Sequence, residues 1–217
     1  MNTFSQIQNK RNMNINQIWE AYMKTQNMSE PYEELGGGSQ GIAYKVGDKV
    51  YKITQDESEY ASSKRLIGIN TKFINRIYEV KILNTYHRRY FLIIQDYVTP
   101  LSEHTKFKDY RSIFDLMASY GRAYLRAHRD NRFEEKINQS QNIVNHVEKI
   151  KGIIGYENIP YSYVSALDEM IHNGFKNTDA CFTNLGIKDN HIVIFDLGYS
   201  LEHLFINEDE VIDVTNV

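Results

Sequence analysis

Asp179, Asn184 and Asp196 are oxygen-bearing side chains at suggestive spacing near the C-terminal end of the sequence. They stand in the runs Asp179-Ala180-Cys181-Phe182-Thr183-Asn184 and Asp196-Leu197-Gly198. Two short strand-like stretches, over 185–187 and 192–195, lie between them and are joined by a turn at Asp189-Asn190. A carboxylate such as Asp179 can orient or deprotonate an attacking hydroxyl. The amide oxygen of Asn184 and the carboxylate of Asp196 are ligands of the kind Mg²⁺ prefers. Each fragment is common by itself, and Asp-Leu-Gly after an apolar strand is often only a turn. Their order gives them meaning.

Upstream stands Gly36-x-Gly38-x-x-Gly41, between two strand-like stretches rather than between a strand and a helix. A dinucleotide fold needs the latter arrangement. Glycines between two strands suit a flap whose backbone amides approach phosphate oxygens, although a glycine cluster also makes ordinary turns. No Gly-x-x-x-x-Gly-Lys-Ser/Thr run is present. Lys52 lies on the next strand, in Val50-Tyr51-Lys52-Ile53, where alternation sends it to the face opposite Tyr51 and Ile53. That is the placement of a phosphate-binding lysine, and equally of a solvated surface one. Its carboxylate partner comes from Asp56-Glu57-Ser58-Glu59, with Glu59 favoured over Glu57; Asp56-x-x-Glu59 also reads as a helix-start capping pair.

These residues need a scaffold, and the periodicity supplies one. Ile15, Ile18, Trp19, Tyr22 and Met23 form the apolar face of a helix in an N-terminal extension, residues 1–30. A first lobe over 31–98 reads as a sheet with one inserted helix at 56–67, and Gly47-Asp48 turns one of its hairpins. Thr99-Pro100 marks the break. Beyond it, residues 99–217 read as helices around 113–124, 133–151 and 161–172, then the late hairpin and an acidic tail. The fold class is α+β in two lobes.

The order glycine hairpin, strand lysine, helix glutamate, break, Asp-x₄-Asn, Asp-x-Gly resembles the protein-kinase superfamily, from about Leu35 to Ser200. It is closest in flavour to short bacterial and phage kinases. The resemblance implies a two-lobed kinase-like fold with a reduced helical C-lobe. It implies binding of ATP and Mg²⁺, with Gly36, Gly38, Gly41 and Lys52 on the phosphates. Gln95 would stand at the gatekeeper position, and backbone groups of Asp96 and Val98 would meet adenine. Lys52, Glu59 and Asp179 would be the catalytic set, and Asn184 and Asp196 the metal ligands. The sequence departs from the family in four places. Asn177-Thr178-Asp179 replaces His-Arg-Asp, Cys181 replaces the lysine two residues past the aspartate, Leu197 replaces the Phe of Asp-Phe-Gly, and no Ala-Pro-Glu follows.

Composition sets the outer limits. The chain has 217 residues, 25 Lys+Arg against 28 Asp+Glu and a net charge of −3, which does not suit a dedicated nucleic-acid binder. Acidic residues gather after Ser200, where Lys and Arg are missing, and read as a solvated tail. One cysteine, no signal-like N-terminus and no long apolar run point to a cytoplasmic protein of a bacterium or phage-infected cell, away from the membrane. The expected activity is transfer of the γ-phosphoryl group of ATP to a protein Ser, Thr or Tyr hydroxyl. The alternatives are a small-molecule kinase, of antibiotic or sugar type, and a nucleotide-binding pseudokinase.

Overall fold

Period-two alternation and tight turns fold residues 33–96 into an antiparallel sheet. The computed structural model describes residues 13–37, 41–105, 107–154, 159–175, 180–189, 191–196 and 211–215. The sheet consists of β1 (Glu33–Gly37), β2 (Gly41–Val46), β3 (Lys49–Thr54), β4 (Ile77–Asn84) and β5 (Arg89–Asp96), in the spatial order β1-β2-β3-β5-β4. Gly47 takes φ +60 in the β2–β3 turn, a value that glycine adopts without strain. Helix α2 (Glu57–Arg65) is inserted between β3 and β4. Asp56 starts it, its carboxylate accepting hydrogen bonds from the backbone N–H groups of Ser58 and Glu59.

Helix α1 (Ile15–Thr25) opens with a reciprocal cap between Asn14 and Gln17. Its apolar stripe lies on the sheet: the Trp19 ring stacks on Tyr44 at 4.7 Å, and the Tyr44 hydroxyl donates to Asn16 Oδ1 at 2.6 Å. A last strand, β9 (Val211–Asp213), runs parallel to β4 at the sheet edge. Val214, just beyond it, is buried in the cluster that holds Ile18, Trp19 and Tyr22. This differs from the reading of 99–217 as one lobe ending in a solvated tail. The alternation of Ile212 and Val214 is too short to register as a strand, yet it suffices when a sheet edge is waiting.

The second lobe is built from α3 (Arg111–Arg129), α4 (Phe133–Ile154), α5 (Ile159–His172) and a small sheet of β6 (Thr99–Pro100), β7 (Leu185–Lys188) and β8 (His191–Ile194). Gly121 lets α3 approach α5 closely, because a Cβ there would meet the Tyr163 hydroxyl at 2.6 Å. Phe114, Met117, Tyr163, Leu167 and Met170 fill the core between these elements. The arrangement is an α+β molecule in two lobes with a reduced helical second lobe.

The loop between α2 and β4 ties the lobes together. Asn75 N–H donates to the Ile194 carbonyl at 2.8 Å and Ile194 N–H to the Phe73 carbonyl at 2.9 Å. From α5, the Glu169 carboxylate accepts from the backbone N–H groups of Lys72 and Phe73.

Trp19→Ala removes the largest fully buried ring of the outer sheet face. Its expected cost is about 3–5 kcal/mol of unfolding free energy. Phe133→Ser, at a position 67% exposed, should stay within about 0.5 kcal/mol of the parent. Urea unfolding followed by circular dichroism measures both; similar losses for the two would contradict this placement of α1.

Candidate functional site

Lys52 sits in the middle of β3, between β2 and β5, so its backbone is fixed on both sides. Its ammonium donates to Glu59 of α2 and, at 2.7 Å, to Asp196 Oδ2 just past β8. Burial alone would lower the Lys52 pKa, but the charges of Glu59 and Asp196, with their hydrogen bonds, outweigh it and raise the pKa above the ordinary lysine value. The ammonium therefore stays protonated. Glu59 is 8% exposed, and burial pushes its carboxyl up, with Lys52 and the Thr54 hydroxyl pulling the other way. Glu57 is exposed, so the choice left open between the two glutamates falls to Glu59.

The cleft around this triad has a volume of about 640 Å³. Gly36, Gly37 and Gly41 form its roof, Ile42, Ala43, Val50 and Phe195 its apolar walls, and Gln95, Asp96 and Val98 its inner edge. Gly36 takes φ +124, which favours glycine. Gly41 is required for a different reason: a Cβ there would come within 2.5 Å of the Ile53 carbonyl oxygen. Gly38 and Asp179 lie outside the described residues.

Gln95 is 6% exposed on the central strand β5, between Val50 and Ile77. Asp96 differs from the simple expectation of a backbone waiting for a base. Its N–H donates to the Arg76 carbonyl at 3.2 Å, and its own carbonyl accepts from Asn75 Nδ2 at 2.9 Å. Its carboxylate accepts from the Tyr78 hydroxyl at 2.6 Å and from Lys188 of β7. Burial would raise the Asp96 pKa, but the Lys188 and Tyr78 hydrogen bonds and the charges of Lys188 and Arg76 hold it below the usual carboxylate range. Among the described residues Val98 N–H has no backbone partner, so it is the inner-edge donor left for a ligand.

Asn184 closes a short turn at the foot of the cleft, its N–H donating to the Cys181 carbonyl at 2.9 Å. Its carbonyl accepts from Phe195 N–H at 3.1 Å, which ties it to the chain entering Asp196. Asn184 and Asp196 therefore line one side of the cleft. Both offer oxygen, a donor set that fits Mg²⁺. Among the described residues no three His, Cys, Asp or Glu side chains converge into a metal cage. A bound Mg²⁺ then takes further oxygens from phosphate or water.

Residue typing missed three lining positions. Ser102 and Glu103 reach the outer end of the cleft, directly after a Thr99-Pro100 break read only as a boundary. Asn75 lies at the inner end, with no local motif to announce it.

No protein-family model matches the chain, and no curated protein matches it in sequence. Solved structures do match. The aminoglycoside phosphotransferase APH(4)-Ia aligns at 10% identity and TM-score 0.39, covering 84% of this chain and 71% of its own. The streptomycin–ATP complex of APH(2″)-IIa aligns at 13% identity and TM-score 0.31, covering 86% of this chain and 72% of its own.

Two outcomes follow from the geometry. Gly41→Ala should destabilise the protein by on the order of 1–3 kcal/mol, because backbone rather than a flexible side chain blocks the new methyl; thermal unfolding reads this. The lowered Asp96 pKa gives stability that is full above the ordinary carboxylate value and is lost as pH falls through the lowered one. Lys188→Met removes one cause of that lowering, so unfolding free energy should fall less steeply than in the parent between about pH 4 and pH 2. Identical slopes would argue against the pair.

Proposed function

We propose that this chain is an ATP- and Mg²⁺-dependent phosphotransferase of the protein-kinase-like kind, acting on the hydroxyl of a small molecule. The observation that carries the reading is the Lys52 ammonium held between Glu59 and Asp196 beneath a glycine-rich roof. A strand-borne cation, two carboxylates from different elements and an apolar slot with a polar inner edge match the needs of a nucleoside triphosphate.

Lys52 binds the phosphates and is aimed by Glu59. Gly36, Gly38 and Gly41 let the backbone approach the phosphate oxygens. The apolar walls sandwich the base, with Val98 N–H as its donor on the inner edge. Ser102 and Glu103 offer polar groups to the ribose. Asn184 and Asp196 hold Mg²⁺, which neutralises phosphate charge when bound. Asp179 orients the acceptor hydroxyl and takes its proton as the γ-phosphorus forms its new bond to that oxygen and ADP leaves. Most of the rate comes from positioning and charge neutralisation.

A small-molecule acceptor is favoured over the protein acceptor expected from sequence. Only residues 197–210 separate Asp196 from β9, which is already back on the first lobe. That length does not supply the activation segment and helical platform on which protein kinases lay a polypeptide.

Transfer of labelled γ-phosphate from ATP with Mg²⁺, to a panel of polyhydroxylated small molecules and to lysate proteins, tests both levels. Lys52→Ala, Asp179→Ala and Asp196→Ala should each lower transfer by about a hundredfold or more in folded protein. A folded Asp196→Ala protein that retained transfer would sink the metal assignment. Label on proteins but on no small molecule would return the acceptor to the protein class.

A further inference from the structure

Asn75 occupies an unusual position on the inner edge of the cleft. Its side chain comes from the α2–β4 loop, behind the strand end that carries Asp96. It is 3% exposed and lines the cleft beside Gln95 and Asp96. Nδ2 donates to the Asp96 carbonyl at 2.9 Å. A carbonyl only accepts, so this bond fixes which end of the amide is nitrogen and leaves Oδ1 as the other end. Oδ1 is buried and has no hydrogen-bond partner among the described residues.

A buried acceptor without a donor is costly, and removal of that cost on binding favours the ligand that supplies the donor. Two acceptors stand together here: Asn75 Oδ1, wholly unpartnered, and the Asp96 carbonyl, with one lone pair engaged and one left. Gln95 presents an amide that can turn either its donor or its acceptor end to a ligand, so it discriminates little. The inner edge is thus weighted toward acceptors, and the matching ligand group carries two N–H donors on one atom.

We infer that Asn75 is a specificity-determining residue that reads the exocyclic amino group of a 6-aminopurine, with its Oδ1 and the Asp96 carbonyl each accepting one of the two N–H bonds. The inference rests on reading the cleft as a nucleotide site. A 6-oxo purine turns an acceptor toward these acceptors and is rejected. A purine without a 6-substituent leaves both unpaired. Sites built to bond a particular polar group discriminate strongly against analogues that lack it.

Equilibrium binding of ATP, GTP and purine riboside triphosphate to the full chain tests this by calorimetry. The parent should bind ATP about tenfold or more tightly than purine riboside triphosphate, the loss of one to two buried hydrogen bonds. Asn75→Ala should bring ATP most of the way toward the analogue and leave the affinity of the analogue within about twofold. Equal weakening of both ligands by Asn75→Ala would overturn the assignment and leave Asn75 as a brace of the inner edge. If the alanine variant does not fold, the parent decides alone: an ATP-to-analogue ratio near one overturns the assignment. Failure of the parent to bind any of the three nucleotides would instead overturn the nucleotide reading itself, and the assignment with it.

Discussion

Lys52 carries a charge that is mostly withdrawn from water, with its side chain 20% exposed. An ammonium in that position is tolerable only with its partners in place; removing one side of a buried ion pair costs about 3–5 kcal/mol. The two carboxylates that satisfy it reach it from outside its own sheet, Glu59 on α2 and Asp196 after β8. The position of α2 against the sheet, and the approach of one lobe to the other, are therefore set by one cation. With one positive and two negative groups, the triad also leaves a net negative charge in the cleft, which suits the arrival of a divalent cation with its phosphates.

The α2–β4 loop gives that electrostatic arrangement mechanical support. Phe73 and Asn75 exchange backbone hydrogen bonds with Ile194, and Glu169 of α5 holds the N–H groups of Lys72 and Phe73. Asp196 stands two residues beyond Ile194. Glu59 and Asp196 are thus carried by segments bonded to each other, whereas Lys52 belongs to the sheet. A displacement of the sheet moves the cation relative to a fixed pair of anions. Lys188 of β7, bonded to Asp96 at the end of β5, resists such displacement from the opposite side.

Much of this was legible in the sequence, for reasons that can be named. The strand of Lys52 announced itself by its apolar neighbours, and period two settled its facing. The capping chemistry of Asp56 marked the start of α2 and so brought Glu59, one turn along, toward the sheet. The hairpin between Asn184 and Asp196 followed from turn residues between apolar runs. What was not legible depends on contacts distant in sequence. Asn75 is a lone amide in a loop, and only the convergence of β5 and β8 makes it part of the cleft. The engagement of Asp96 on four sides needs Asn75, Arg76, Tyr78 and Lys188 together, and no spacing encodes that.

The pairing of β9 with β4 has a kinetic consequence. Ile82 and Val211 are register partners, so nearly the whole second lobe lies between two strands that must meet. Closing so long a loop is entropically costly and slow, and contacts of this separation lower folding rates. During synthesis the β4 edge emerges early, while Val214, which completes the core under Trp19, emerges almost last. The first lobe is thus among the first parts made and among the last completed, and until β9 docks its sheet has an unpaired strand edge of the kind through which nascent chains aggregate.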